Sequence, residues 1–460
     1  MDASTSSTSR YDSKVIMGTF QRMTWTFALT HATVTTLMMY ASSALGHFTG
    51  NLSNALLFSV SLTASLAVAP LIVSTCGPKR GLLVGLVGCT TYVLFFVVAV
   101  FLCSSSGGGC NCESSGARGF AFVGAAFGGL GAGILWPSQG AFFSAVVQLL
   151  AESGSAAGGQ SGPTGQSTRE EALSHLTGKL SSSFAFGLLV AEGSTKLLLA
   201  VLLTYTKVEV WSSWIFFSAL VLAVLAMVAF ALSTDIFPGW TTPRPLCERT
   251  LAGLQLWRDP KLWLLSMTNF AFGFSVAWVN GCVNERWHEA TGDLSLLGFA
   301  GALTTGVAGV VSKLSERPLA CGKGPILALG SLSFVGVGLL SKIPEPTDRL
   351  GWSAWLLLAH VLHGVGRGVY EGANKGIFGD FYGGEKAVGA FSNVLVQVSA
   401  ASILGYALAS TKRKDSAYSF LMVSAVLMVP LYLLAGRFRC PRTISSKDPE
   451  KDLERAPRDG

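Results

Sequence analysis

"GLGAGILWPSQGAFF", residues 129–143, returns about half a chain later as "GVGRGVYEGANKGIF", residues 364–378. Setting Gly129 against Gly364 aligns three glycines: Gly129 with Gly364, Gly131 with Gly366 and Gly133 with Gly368. Ile134 then meets Val369, Gln139 meets Asn374 and Phe143 meets Phe378. A repeat offset by half the length points to two like halves in tandem. With 53 glycines in the chain, coincidence is the rival explanation. The surroundings of the two segments decide against it, because equal numbers of apolar stretches flank a Pro-containing middle segment.

Those stretches place the chain in lipid. Only 13% of its 460 residues are charged, where a soluble chain carries about a quarter, and mean hydropathy is +0.50. Runs such as "GLLVGLVGCTTYVLFFVVAVFLC" and "WIFFSALVLAVLAMVAFALS" are long enough to cross a hydrocarbon core of roughly 30 Å. Windows between charged breaks predict twelve helices with cores at 22–42, 53–75, 82–103, 118–147, 180–203, 212–233, 262–283, 294–312, 324–341, 352–377, 387–410 and 417–436. The first residues, "MDASTSSTSRYDSK", are polar, so a removable signal peptide is not expected and the first helix serves as its own insertion signal.

Charge orients the helices. With both termini cytoplasmic, roughly 22 of the 33 Lys and Arg fall on the inside and about 8 on the outside, which is the positive-inside bias. The net charge of +7 is therefore a matter of topology, and nucleic acid is not expected as a partner. "TKRKDS" (411–416) runs against the rule, with three cations on the outer side. The expected organisation is a cytoplasmic segment at 1–21, a six-helix bundle at 22–233, a cytoplasmic middle loop at 234–261, a second six-helix bundle at 262–436 and a basic cytoplasmic tail at 437–460. The first outer loop holds a glycosylation sequon at Asn51, "NLS". The second holds Cys103, Cys110 and Cys112, for which a disulfide from Cys103 to either of the others and free thiols are both open. The remaining cysteines have no metal-ligand spacing, and no phosphate loop or nucleophile motif occurs. No catalytic residues, metal or cofactor are expected, and the chain is not expected to be an enzyme.

Six plus six helices with inside termini resembles the plan of the major facilitator superfamily. "LGAGILWPSQGAF" is similar to the Trp-Gln motif on the fourth helix of the uncoordinated-93-like family within it. "LWRDPKLWLLSMTNFAFGFSVAWVNGCVN" resembles the start of that family's second half, and "GAFSNVLVQVSAASILGY" (389–406) its eleventh helix. "TCGPKRGLL" keeps the Gly and the basic pair of the superfamily's signature loop and lacks its Asp. The resemblance implies an all-α polytopic membrane protein of twelve transmembrane helices in two pseudo-symmetric six-helix bundles, the major facilitator fold. It implies that the first, fourth, seventh and tenth helices line a central cavity. On those helices His31, Trp136, Gln139, Asn269, Asn280, His360, His363 and Arg367 are the candidate lining residues.

Two sites inside the apolar stretches carry charge. "AHVLHGVGRGVYEGANKGIFGDFY" (359–382) sets His360, His363, Arg367, Glu371 and Lys375 at spacings of three and four, on one helix face. His360 and His363 fall near mid-membrane, where a charge costs roughly 2.5–3.5 kcal/mol. Hydrogen bonding within the bundle and proton carriage are both open for them. Arg367, Glu371 and Lys375 lie toward the inner rim. Snorkelling with i,i+4 pairing is one reading of them, and substrate contact the other. On the fifth helix Glu192 precedes Lys196 by one turn at mid-depth, either as a neutralised pair or as a carboxylate protonated by desolvation and coupled to transport. Trp136 either stacks on a substrate or packs at the kink expected from Pro137.

The function expected is secondary transport of a small solute or ion by alternating access, with proton coupling through Glu192 or the histidines. The alternative comes from the resemblance: a non-transporting regulatory or trafficking partner of an ion channel or other membrane protein. The membrane expected is the plasma membrane.

Overall fold

The computed structural model describes residues 12–105, 115–158, 165–206, 213–233, 235–237, 251–284, 287, 295–315, 322–340, 354–382, 386–410 and 414–438. Most of the two terminal segments, half of the middle loop, Cys110, Cys112 and residues 411–413 lie outside them. The elements are α1 (Ser13–Leu45), α2 (His47–Cys76), α3 (Pro78–Ser105), α4 (Ser115–Gly158), α5 (Gly165–Thr206), α6 (Ser213–Ala231), α7 (Ala252–Gln255), α8 (Pro260–Leu264) and α9 (Ser266–Trp278). They continue with α10 (Ser295–Leu314), α11 (Gly324–Leu340), α12 (Ala354–Val369), α13 (Lys375–Phe381), α14 (Ala387–Ser410) and α15 (Lys414–Arg437). Helix runs through each of the twelve apolar stretches. Among the described residues eight helical spans are long and apolar enough to cross a membrane, so the protein is integral and multi-pass.

Local chemistry sets the ends. Asp12 caps α1 by accepting a hydrogen bond from the Lys14 amide at 3.3 Å, and Asp259 caps α8 ahead of Pro260. Gly46 and Gly77 reverse the chain between α1 and α2 and between α2 and α3 at φ 83° and 85°, a backbone region that glycine enters without steric cost. Five threonine hydroxyls of α1 are absorbed by the helix itself: Thr19, Thr24, Thr33, Thr35 and Thr36 donate to carbonyls three or four residues back.

The repeated motif performs one task twice. A Cβ on Gly129 or Gly133 would fall 2.4 Å from the Leu57 carbonyl oxygen or 2.7 Å from that of Ser61, so α4 lies backbone to backbone on α2. A Cβ on Gly364 or Gly368 would fall 2.6 Å from the carbonyl oxygens of Thr304 and Ala308, so α12 lies on α10 in the same way. The middle glycine faces the other neighbour. Gly131 touches α3 at Gly85, Gly88 and Cys89, and Gly366 touches α11 at Phe334. Helices approach this closely in lipid only where small residues let them. The two halves of the chain then meet along two seams, α2 against α14 and α5 against α10.

Several expectations need correction. Asn51 lies within α2 and is 2% exposed; a glycosylation acceptor must be a surface loop, so the sequon is closed off. Glu371 and Lys375 do not snorkel at a rim, since both are buried in the bundle. Cys103 is disulfide-bonded, which resolves the choice left open at that cysteine. The lysine of the basic pair in "TCGPKRGLL" also finds a role: the Lys79 ammonium donates to the Ser233 carbonyl at the end of α6 and sits 6.0 Å from the Phe230 ring centre.

Candidate functional site

Two departures from regular helix mark the centre of the molecule. Val279–Val283 after α9 and Tyr370–Asn374 between α12 and α13 are π-helical, a widening of the turn that often accompanies functional sites. Both segments border a cavity of about 150 Å³ reached by helices from each half. The second π segment keeps the Glu371–Lys375 ion pair one turn apart, while Arg367, one turn before it, points to a partner on α5.

That partner is Glu192. Arg367 Nη1 donates to Oε1 at 2.8 Å and Nη2 to Oε2 at 2.5 Å, a two-pronged pairing that holds the planar guanidinium in one orientation. Lys196 donates to Oε1 at 2.6 Å. Glu192 is fully buried, and Lys196 and Arg367 are nearly so. Both expected pairings on α5 and α12 therefore appear in altered form: Glu192–Lys196 exists but is shared, and Arg367 pairs between halves rather than with Glu371. Both oxygens of Glu192 are thus engaged by cations.

The second ion pair sits in an aromatic box. Lys375 Nζ lies 3.9 Å from the ring centre of Trp136, 5.3 Å from that of Phe184 and 5.9 Å from that of Tyr370. Trp136 thus packs on a lysine of the other half, and its edge meets His31 at 5.1 Å between ring centres. A desolvated cation over an aromatic face is worth on the order of 2 kcal/mol. Trp136→Leu is accordingly expected to lower unfolding stability in detergent by that amount, and Trp136→Phe by clearly less. Equal losses in the two variants would mean that packing volume, not the cation, sets the value of Trp136.

The histidines line the same cavity. His363 Nδ1 is 2.7 Å from Ser275 Oγ, and its ring lies parallel to Phe272. His360 Nδ1 is 3.0 Å from Thr304 Oγ1, while among the described residues its Nε2 has no hydrogen-bond partner. Gln139, Asn280 and Glu371 line the cavity as well. Asn269 does not. It accepts from Asn374 at 2.8 Å and donates to Gln397 at 2.6 Å, a buried amide chain that ties α9 to α14 and to the π segment. Lys375 borders the space too, and so do Tyr370, Phe272 and Asn284, three residues that were not singled out because nothing in their spacing tells an inward from an outward face. Among the described residues no group of three or more His, Cys, Asp or Glu could hold a metal ion.

At the end of the bundle beyond Lys375 the halves are closed on each other. Thr177 on α5 donates to Asp380 at 2.9 Å, and Lys323 pairs with the same carboxylate at 2.6 Å. Phe391 packs edge-on against Phe143, 6.4 Å between centres. Trp257, in the one-turn helix after α7, donates to Asn393 of α14 at 2.7 Å, so the segment joining the halves is pinned at this end.

No family model matches the chain, and no curated protein matches it. A solved structure does: the human organic anion transporter MFSD10 (TETRAN), at 14% identity and a TM-score of 0.58, covering 93% of this chain and all of that one. The chain shares the fold of that structure. At this identity the likeness carries architecture alone.

Proposed function

We propose that this protein is a secondary transporter that moves a small solute or ion by alternating access, binding it in the cavity between the halves. The observation that carries the reading is the cavity's position. It is lined from both halves, and buried charge is concentrated around it, at Glu192, Lys196, Arg367, Glu371 and Lys375. Buried ionisable groups in a membrane protein are costly and mark substrate or ion pathways. The reading includes two six-helix bundles, 22–233 and 262–436, with both termini cytoplasmic and the plasma membrane as location. Proton coupling through the three cavity histidines or Glu192 belongs to it too. Membership of the uncoordinated-93-like family is proposed on the motifs at 129–143 and 389–406.

One observation favours the rival reading of a non-transporting partner of a channel or other membrane protein. The Glu192–Arg367 pairing joins the two halves directly, as a fixed clamp would. Spin-label pairs separate the two. One pair is placed at Phe101 and Leu339, the exposed last turns of α3 and α11, and one at Glu152 and Leu314, near the opposite face. Transport predicts that the first distance shortens as the second lengthens, with populations that shift between two pH values. Single distributions that stay put at both values would leave the clamp reading and remove alternating access.

A further inference from the structure

We infer that the cavity takes an organic monoanion, an acid group on an apolar body. This rests on the transport reading only for the word substrate. The first argument is a count of charges. Arg367, Lys196 and Lys375 face Glu192 and Glu371, three cations to two carboxylates, so one positive charge in the cavity wall has no counter-charge there. An unbalanced charge away from water is unfavourable, and an incoming anion relieves it.

The second argument concerns which groups are already engaged. Both oxygens of Glu192 accept from cations, and Glu371 holds Lys375. Each cavity carboxylate thus already carries a cation of the protein itself. The aromatic box that would suit an organic cation is filled by Lys375 from the protein itself. Donor capacity, in contrast, remains. Arg367 is 7% exposed and borders the cavity, and among the described residues its buried Nε–H has no hydrogen-bond partner. Lys196 Nζ spends one bond on Glu192 and borders the same space. An acid group between Lys196 and Arg367 would give both a second anionic partner. The rest of the wall is mainly apolar, with Phe58, Leu57, Met38, Val276 and Leu395 among its residues, which calls for a hydrocarbon or aromatic body behind the acid.

The test is a matched panel on the purified full-length protein in detergent. Phenylacetate, 4-phenylbutyrate and octanoate are each titrated beside the amine and the alcohol of the same skeleton, by calorimetry and by the shift in unfolding temperature. At least one acid is expected to bind about tenfold or more tighter than its amine and its alcohol, and to raise the unfolding temperature as a ligand of the native state must. Lys196→Gln, which balances the charges, is expected to erase that preference. An amine that binds better than its acid, or a panel in which no acid is preferred, overturns the inference. The wild-type panel decides this even where the variant does not fold. The two readings fail separately. Acid binding with spin-label distances that never move would remove transport and keep the anion site, while moving distances without acid preference would keep transport and remove the anion site.

Discussion

Glu192→Gln is expected to destabilise the folded protein by about 3–5 kcal/mol, the cost of breaking a buried ion pair by removing one partner. The reason is local. Arg367 and Lys196 converge on this one carboxylate from different helices, and without its charge two cations are left close together with no solvent to screen them. The carboxamide keeps the shape and one acceptor oxygen, so size is not what is lost. Removing both charges should cost less than removing one: Glu192→Gln with Arg367→Gln is expected to recover a substantial part of the loss, a coupling of about 1–3 kcal/mol in a double-mutant cycle. Denaturant unfolding in a fixed detergent reads all four corners. A Glu192→Gln single variant within about 1 kcal/mol of wild type would show that the network does not hold the halves together.

The second large effect lies in the glycine seams. Gly133→Leu and Gly368→Leu are each expected to cost at least about 3 kcal/mol, at or beyond the upper end of ordinary overpacking. In both, the first side-chain carbon would meet backbone, the Ser61 or Ala308 carbonyl oxygen, at 2.7 or 2.6 Å. Backbone cannot step aside as a flexible side chain can, so the helices must part along the seam. Gly306 is the control. It lies on α10 with nothing within 4 Å of an added Cβ, and Gly306→Leu is expected to be nearly neutral. The monodisperse fraction after purification and the unfolding midpoint measure all three. Similar losses at Gly133 and Gly368 would mean that the repeated motif does equal work in each half, and a loss at one alone would end that equivalence.

How much of this was legible beforehand differs between fold and site. The helix positions were readable because lipid demands long apolar runs and charged residues interrupt them. The repeat was readable because close helix approach restricts residue type to glycine at fixed offsets, and that restriction is printed in residues 129–133 and 364–368. The charged stripe on α12 was visible as an anomaly of depth. Its pairings were not, because i,i+4 spacing says only which groups can meet on one helix. Arg367 had Glu371 within reach by spacing and took Glu192, 175 residues away, instead. Its place along the stripe puts Lys375 toward the inner rim, and the tertiary structure buries it under Trp136. Asn269 and Asn280 looked alike in sequence, yet one is held in an amide chain and the other borders the cavity.

The sequence by itself determined that this is a multi-pass helical chain with a repeated glycine motif and charge buried in its apolar stretches. Each follows from rules that act along one helix: hydropathy, spacing and the small volume of glycine. Packing settles which charges meet, that Glu192 and Glu371 each carry a cation while, among the described residues, a guanidinium N–H has no partner, and that a lysine fills the aromatic box. Those facts depend on the rotation of each helix about its axis, which is set by packing against neighbours far away in the chain.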